Sequence, residues 1–339
     1  MKHIFYIHSN ITYLAALAII KEKKLTEPVL LFGRNYTNSL IVNDYQKVYL
    51  NKEIDSLNFV PSSGTPWLAF KYYISLKQTK LLINKYGSKE FECYLPHVKN
   101  FLMQFFVMHS KCMRYNIMDE GLLSYTNPVL YIKQTDKRFT ENFKGKIIRL
   151  LKYVNHVNSS SVYSRIKARL GKIYLFYNDS TRDWKEVNVQ IMEWPALSID
   201  IPDYSNKNIY ILDNLENDSF LDIRNYSPIL MSIFNHFKNK ELHIKFHPAN
   251  KNYDIILNLL KKTGVKYNII DSNTPIELVI LNSENVKIFG LFSSLLFYAA
   301  IMGHDSYSFA KYSEPYDVRI SPMMAKLMPP VFFEKVKMI

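Results

Sequence analysis

Three short clusters in this chain carry side chains able to do chemistry, and they follow one another in a set order. Tyr115-Asn116-Ile117-Met118-Asp119-Glu120-Gly121 is a β-rich run that ends in adjacent carboxylates and a glycine. Glycine permits a tight turn, and a carboxylate held there can act as a general base. An ordinary acidic turn is the other reading. His243-Ile244-Lys245-Phe246-His247-Pro248 is a strand of alternating character that delivers His247 to a loop, because Pro248 keeps its predecessor out of helical geometry. Val286 to Ala300 reads as a strand, a glycine turn at Gly290, and a helix whose first turn holds Ser293 and Ser294. A helix start offers unpaired N–H groups and a positive dipole end, so this seat suits a phosphate. A plain N-cap uses the same residue types.

These side chains need elements to hold them. Lys2–Ile7 reads as a strand, His8-Ser9-Asn10 as a polar turn, Ile11 to Lys21 as an apolar helix, and Pro28–Phe32 as a strand ending at Gly33-Arg34. That order opens a parallel α/β sheet. Ligands bind at the carboxyl ends of such strands, which makes His8, Ser9, Asn10 and Arg34 candidates by position. Further on, Val48–Leu50 is a strand, Trp67–Lys85 a helix, Phe91–Leu95 a strand ending at Pro96-His97, and Phe101–Met108 a helix. Lys172–Tyr177 is a strand, and a polar connector runs from Pro195 to about Asn206. The α/β logic then repeats: strand 208–212 ending at Asp213-Asn214, helix 228–237, strand 242–246, helix 253–263, strand 266–270, and a helix opened by Thr274 as N-cap and Pro275 at N1. Three segments are expected: 1–195, 206–320, and a tail, 321–339, crossing back to the first.

Composition sets the limits. At 339 residues with 48% hydrophobic and 14% aromatic content, the chain is a folded globular protein of about two domains. Its charge of +13 points to an acidic partner. Lys133 to Lys172 holds eleven Lys and Arg against Asp136 and Glu141, with apolar residues interleaved at helical spacing. An anionic membrane surface and a solvated basic face on core helices are equal readings of it. Nucleic acid is disfavoured, since no binding motif accompanies the charge. Cys93 and Cys112 cannot make a disulfide framework and suit a reducing cytoplasm as buried thiols. Met1–Ile7 shows no cleavage pattern, and no apolar stretch reaches the length of a clean membrane span. The expected place is the cytoplasm, peripheral on a membrane's inner face.

Two similar α/β domains with polar strand ends facing a cleft describe the GT-B architecture of nucleotide-sugar transferases. Asp119-Glu120-Gly121, His247-Pro248 and Ser293-Ser294, in that order, resemble the D/E-D/E-G, HP and S-S/T motifs of bacterial CMP-sialic acid-dependent sialyltransferases. These include the lipooligosaccharide family (family 52) and the capsule polysialyltransferases. The spacing and Pro275-Ile276-Glu277 look closer to the former. The resemblance implies Asp119 as base for the acceptor hydroxyl, with Glu120 supporting and the choice between them open. It implies His247, ahead of Pro248, on the leaving phosphate, Ser293 and Ser294 holding that phosphate after Gly290, and Glu277 on the ribose. Asp213 and Asn214 take the cytosine by position. Ser9, Asn10 and Arg34 are candidates for the sugar carboxylate and His97 for the acceptor, although a core or capping histidine is the plainer reading of His97 and His8.

One base and no separate nucleophile imply single displacement with inversion. The absence of a DxD-like pair or His/Cys cluster implies no metal and no cofactor beyond the donor. The expected activity moves sialic acid from CMP-sialic acid to a terminal galactose of lipopolysaccharide, O-antigen or capsule. The alternatives are another CMP-activated nonulosonic acid or Kdo, or a non-catalytic membrane-surface protein.

Overall fold

The structure, a computed structural model, describes residues 1–34, 36, 45–59, 72–98, 100–125, 168–179, 187–197, 201–213, 223–247, 253–313 and 328–339. Most of the basic stretch 133–172, together with Asn214 and Pro248, lies outside them. The chain divides into two compact units, Met1–Ala196 and Leu197–Ile339.

The first unit starts with β1 (Lys2–Ile7), whose last four residues are buried. Its exit, His8-Ser9, starts α1 (Asn10–Glu22) through a capping box: the Thr12 amide donates to Ser9 Oγ, and Thr12 Oγ1 accepts from the Ser9 amide. The chain continues through β2 (Pro28–Phe32), β3 (Gln46–Tyr49), α2 (Lys52–Asp55), α3 (Tyr73–Tyr86), β4 (Phe91–Leu95), α4 (Phe101–Met108), β5 (Cys112–Met118), β6 (Leu170–Leu175) and β7 (Asn188–Ile191). These strands form one parallel sheet in the order β3-β2-β1-β4-β5-β6-β7. The expected helix from Trp67 is seen from Tyr73, since 67–71 lie outside the described residues. Cys93 and Cys112 are free, buried thiols with sulfurs 3.8 Å apart.

The second unit runs through β8 (Asn208–Ile211), α5 (Ile223–His236), β9 (Glu241–Lys245), α6 (Tyr253–Thr263), β10 (Lys266–Ile270), α7 (Ile276–Leu281), β11 (Lys287–Gly290), α8 (Ser294–Ile301), β12 (Asp305–Ser308), α9 (Ala310–Ser313), α10 (Pro330–Lys335) and β13 (Lys337–Met338). Its sheet is parallel in the order β10-β9-β8-β11-β12-β13. Both sheets therefore reverse direction beside their first strand, as Rossmann-like sheets do. Two successive units of this kind are the parts of the GT-B fold expected from the sequence.

Several local expectations shift. The helix placed from Pro228 begins at Ile223 and carries Pro228 inside it. Pro275, not Thr274, is the N-cap of α7, because the amides of Leu278 and Val279 donate to the Pro275 carbonyl. Over its described length, 328–339, the tail packs within the second unit. α10 packs on α8 and β13 pairs with β12, which gives the unpaired edge of the second sheet a partner. Strands β7, β12 and β13 are too short and too polar to announce themselves in sequence.

Candidate functional site

The reversal of strand order in the first sheet falls between β1 and β4, and the residue after β1 is His8, while His97 lies two residues past β4. Loops on either side of such a reversal diverge and leave a crevice at the carboxyl end of the sheet. Glu120, leaving β5, reaches into it: its Oε2 lies 3.9 Å from His8 Nε2 and 3.9 Å from His97 Nε2. Arg34, leaving β2, brings Nη2 to 3.5 Å from His97 Nε2. Four strand exits thus converge a carboxylate, two imidazoles and a guanidinium. Among the described residues His8 Nδ1 has no hydrogen-bond partner.

Arg34 holds a left-handed backbone at φ 56°, secured where its amide donates to Asp55 Oδ1 at 2.6 Å. Asp55 also accepts from Asn58 Nδ2 (2.7 Å), and Asn58 Oδ1 accepts from Asn100, the N-cap of α4 (2.9 Å). This buried polar chain fixes the Arg34 turn, and no motif in the sequence signals it. Asp55 and Asn58 lie three residues apart, but Asn100 joins them from 42 residues further on only when folding buries the three together.

Asp119 and Glu120 face different surroundings. Asp119 is fully buried, and its Oδ2 accepts from Tyr125 Oη at 2.6 Å and from the Phe176 amide at 3.1 Å. It ties the exit of β5 to that of β6. Gly121 supports the turn with φ 146°, a value that other residues rarely adopt. Ser9 and Asn10 are engaged locally, Ser9 as the cap of α1 and Asn10 by accepting from Tyr36 Oη at 2.5 Å. A cavity of about 540 Å³ bordered by Lys2, His3, Lys24, Glu27 and Lys89 opens at the opposite, amino-terminal end of these strands.

In the second unit the reversal falls between β8 and β11. Asp213, just past β8, aims its carboxylate at the turn after β11: Oδ2 accepts from the Leu291 amide at 3.1 Å and Oδ1 from the Phe292 amide at 3.2 Å. Ser308 Oγ donates to the Leu291 carbonyl at 2.7 Å from the other side. Asp213 therefore shapes the serine turn. Gly290 lets the turn close in, since a Cβ there would stand 3.2 Å from the Ile211 carbonyl. Ser293 is the N-cap of α8, accepting from the Leu295 amide at 3.2 Å, while Ser294 is exposed in the first turn. His247 is exposed past β9, and partial desolvation lowers its pKa. Glu277 lies in the first turn of α7 after β10. His243 packs edge-on against Tyr204, and His304 Nε2 meets the Ile280 carbonyl at 2.7 Å, so both are structural. Among the described residues no three His, Cys, Asp or Glu side chains gather as metal ligands, and no helix is long and apolar enough to cross a membrane.

The buried imidazoles give a pH prediction. Burial, reinforced by Arg34 and His97, lowers the His8 pKa to about 3. Burial, reinforced by Lys111, Lys80 and Arg169, lowers that of His109 to about 4, and His109 Nδ1 accepts from the Lys111 amide. Both stay neutral in the folded chain while the unfolded chain takes up protons below pH 6.5. Stability is then unaffected above that pH and falls as pH drops from 6.5 towards 4, by up to ~1.4 kcal/mol per pH unit per group. Thermal melts across this range should show the decline. A flat profile would contradict the neutral assignment.

The model of the family "Alpha-2,8-polysialyltransferase (POLYST)" matches residues 3–307. No curated protein matches in sequence. Similar solved structures include Acinetobacter baumannii MurG, at 10% identity over 100% of this chain and 85% of that one, TM-score 0.43. The spinosyn rhamnosyltransferase SpnG complexed with thymidine diphosphate shares 9% over 91% and 80%, TM-score 0.48. Methanocaldococcus jannaschii UDP-GlcNAc 2-epimerase in complex with UDP-GlcNAc and UDP shares 12% over 100% and 89%, TM-score 0.46. At such scores the strand order, rather than the likeness, carries the fold.

Proposed function

The chain belongs to the alpha-2,8-polysialyltransferase family, and on that premise we propose that it moves sialic acid from CMP-sialic acid to the end of a bacterial surface glycan. The observation that carries this reading is that the motif residues lie past carboxyl ends of parallel strands in both units, Asp119 and Glu120 past β5, and His247 and Ser293 past β9 and β11 on either side of the second sheet's reversal. The second unit takes the nucleotide. Ser294 and the first turn of α8 seat its phosphate, His247 meets the charge that develops there, and Glu277 accepts from the ribose hydroxyls. The first unit takes the acceptor. Glu120 accepts the proton of the attacking hydroxyl, and Arg34, His97 and His8 orient the acceptor and the carboxylate of the sugar. The new bond forms at the anomeric carbon as the bond to phosphate breaks, in one inverting displacement without a metal.

The partial desolvation that lowers the His247 pKa favours its neutral form in the free protein. An arriving phosphate favours the imidazolium, so donor binding takes up a proton and sets up the charge that stabilises the leaving group. His247→Ala is expected to lower kcat by roughly 100- to 1,000-fold while CMP still binds, measured by steady-state CMP release and by titration with CMP. Unchanged kcat would remove His247 from the reaction.

For the acceptor, the family description favours a glycan ending in sialic acid over one ending in galactose. The deciding assay follows CMP release from CMP-sialic acid by purified protein in EDTA, with acceptors of either kind. Release that depends on a sialic acid end supports this reading, and release only with galactose moves the acceptor. CMP binding without turnover points to another CMP-activated nonulosonic acid or Kdo. Neither binding nor release leaves the membrane-surface alternative.

A further inference from the structure

The structure assigns Lys245 as the positioning residue of the nucleotide seat: its buried ammonium sets the loop after β10 that carries Glu277. The inference rests on the reading of Glu277 as a donor contact. Lys245 is the last residue of β9, two before His247, and only 5% exposed. Its Nζ donates to three backbone carbonyls of that loop, Asp271 at 2.6 Å, Ser272 at 2.9 Å and Thr274 at 2.8 Å. An ammonium has three protons, and all three are spent on the loop. Lys245 therefore acts on a ligand through the backbone it holds.

The loop needs an outside anchor. It turns on local contacts, the Asn273 amide to Asp271 Oδ1 at 2.7 Å and the Thr274 amide to the Asp271 carbonyl at 3.0 Å. It then enters α7 at Pro275, which has no N–H and provides no side-chain cap. These turn contacts lie within residues 271–274, ahead of α7, and Glu277 sits in the first turn of that helix. The Lys245 contact to Thr274, one residue before the cap, sets the angle at which α7 starts. Burial lowers the Lys245 pKa, while the charges of Glu277 and Asp271 oppose the shift, so the cation also feels the carboxylate whose helix it steers. Charge-assisted bonds of this kind are stronger than neutral ones, and small misplacements of a ligand contact cost large factors in binding.

CMP affinity, KM for the donor and kcat separate the possibilities in Lys245→Met, Glu277→Gln and the double variant, with circular dichroism as the check on folding. Lys245→Met is expected to weaken CMP by about 10-fold with kcat within about 3-fold of the parent, and the double variant to bind no worse than the weaker single one. A folded Lys245→Met that melts lower but binds CMP like the parent, beside a weakened Glu277→Gln, overturns the assignment. If Glu277→Gln itself binds CMP like the parent, the reading of the seat fails instead. Should Lys245→Met not fold, Lys245→Arg takes its place, since it keeps the charge but cannot give three converging bonds from one atom. Weaker CMP binding in it supports the assignment, and parental binding overturns it.

Discussion

Glu120→Gln is expected to lower kcat by roughly 1,000-fold, near the middle of what a positioned base contributes, with the fold and CMP affinity kept. The amide matches the carboxylate in size, so the contacts of a side chain only 8% exposed survive while its basicity is lost. The neighbours of Glu120 make the case. Two imidazoles stand 3.9 Å from its Oε2, and one of them, His8, is kept neutral by burial. A neutral imidazole can share hydrogen bonds with the carboxylate without neutralising it. Arg34 adds a fixed positive charge at the rim beside His97. Single-turnover measurement of transfer reads the effect directly. Transfer at the parental rate in a folded Glu120→Gln would return the role of base to its neighbour.

Asp119→Ala should act on stability, by about 3–5 kcal/mol. The substitution removes the acceptor for Tyr125 Oη and for the Phe176 amide, both in surroundings that exclude water. Each buried donor left without a partner costs about 1–3 kcal/mol, and the loss of the anion frees the turn at 122–125 from the exit of β6. In a unit of 196 residues that is a fall in melting temperature of ~10 °C. Burial and the Asp119 charge also push the Tyr125 hydroxyl well above its usual pKa, as expected of a proton that the carboxylate holds. Differential scanning calorimetry reads the loss of stability, and activity measured well below the melting point separates it from a loss of catalysis. A variant that melts like the parent but cannot transfer would make Asp119 the base, as the motif resemblance implies.

The adjacent carboxylates show how a sequence underdetermines a site. Alternation along a strand puts successive side chains on opposite sides, so one member of an Asp-Glu pair points inward and its neighbour outward. Which is which depends on where the strand stops and on what covers it. Here the cover is Phe176, leaving β6, and Tyr125, in the turn that follows. The serine pair divides in the same way, with Ser293 capping α8 and Ser294 exposed. Asp213 is the sharper lesson. A carboxylate at a strand exit suggests a ligand contact, and the fold adds a role that the sequence does not show, since the carboxylate oxygens take the Leu291 and Phe292 amides. Those amides belong to a segment 78 residues further on.

Local patterning sets the alternation of apolar strands and helices, hence two parallel α/β units, and the strand exits at which His8, Arg34, His97, Glu120, His247 and Ser293 lie. Those features follow from periodicity, proline and glycine, which act within a few residues. Which exits meet, and which side chains are taken up by the fold, emerges only from long-range packing. It drew His8, His97, Arg34 and Glu120 together from four strands, put Asp55, Asn58 and Asn100 beneath them, and turned Lys245 into the anchor of a loop. The physical reason is that a buried polar group must find partners, and its partners are set by strand order and not by distance along the chain.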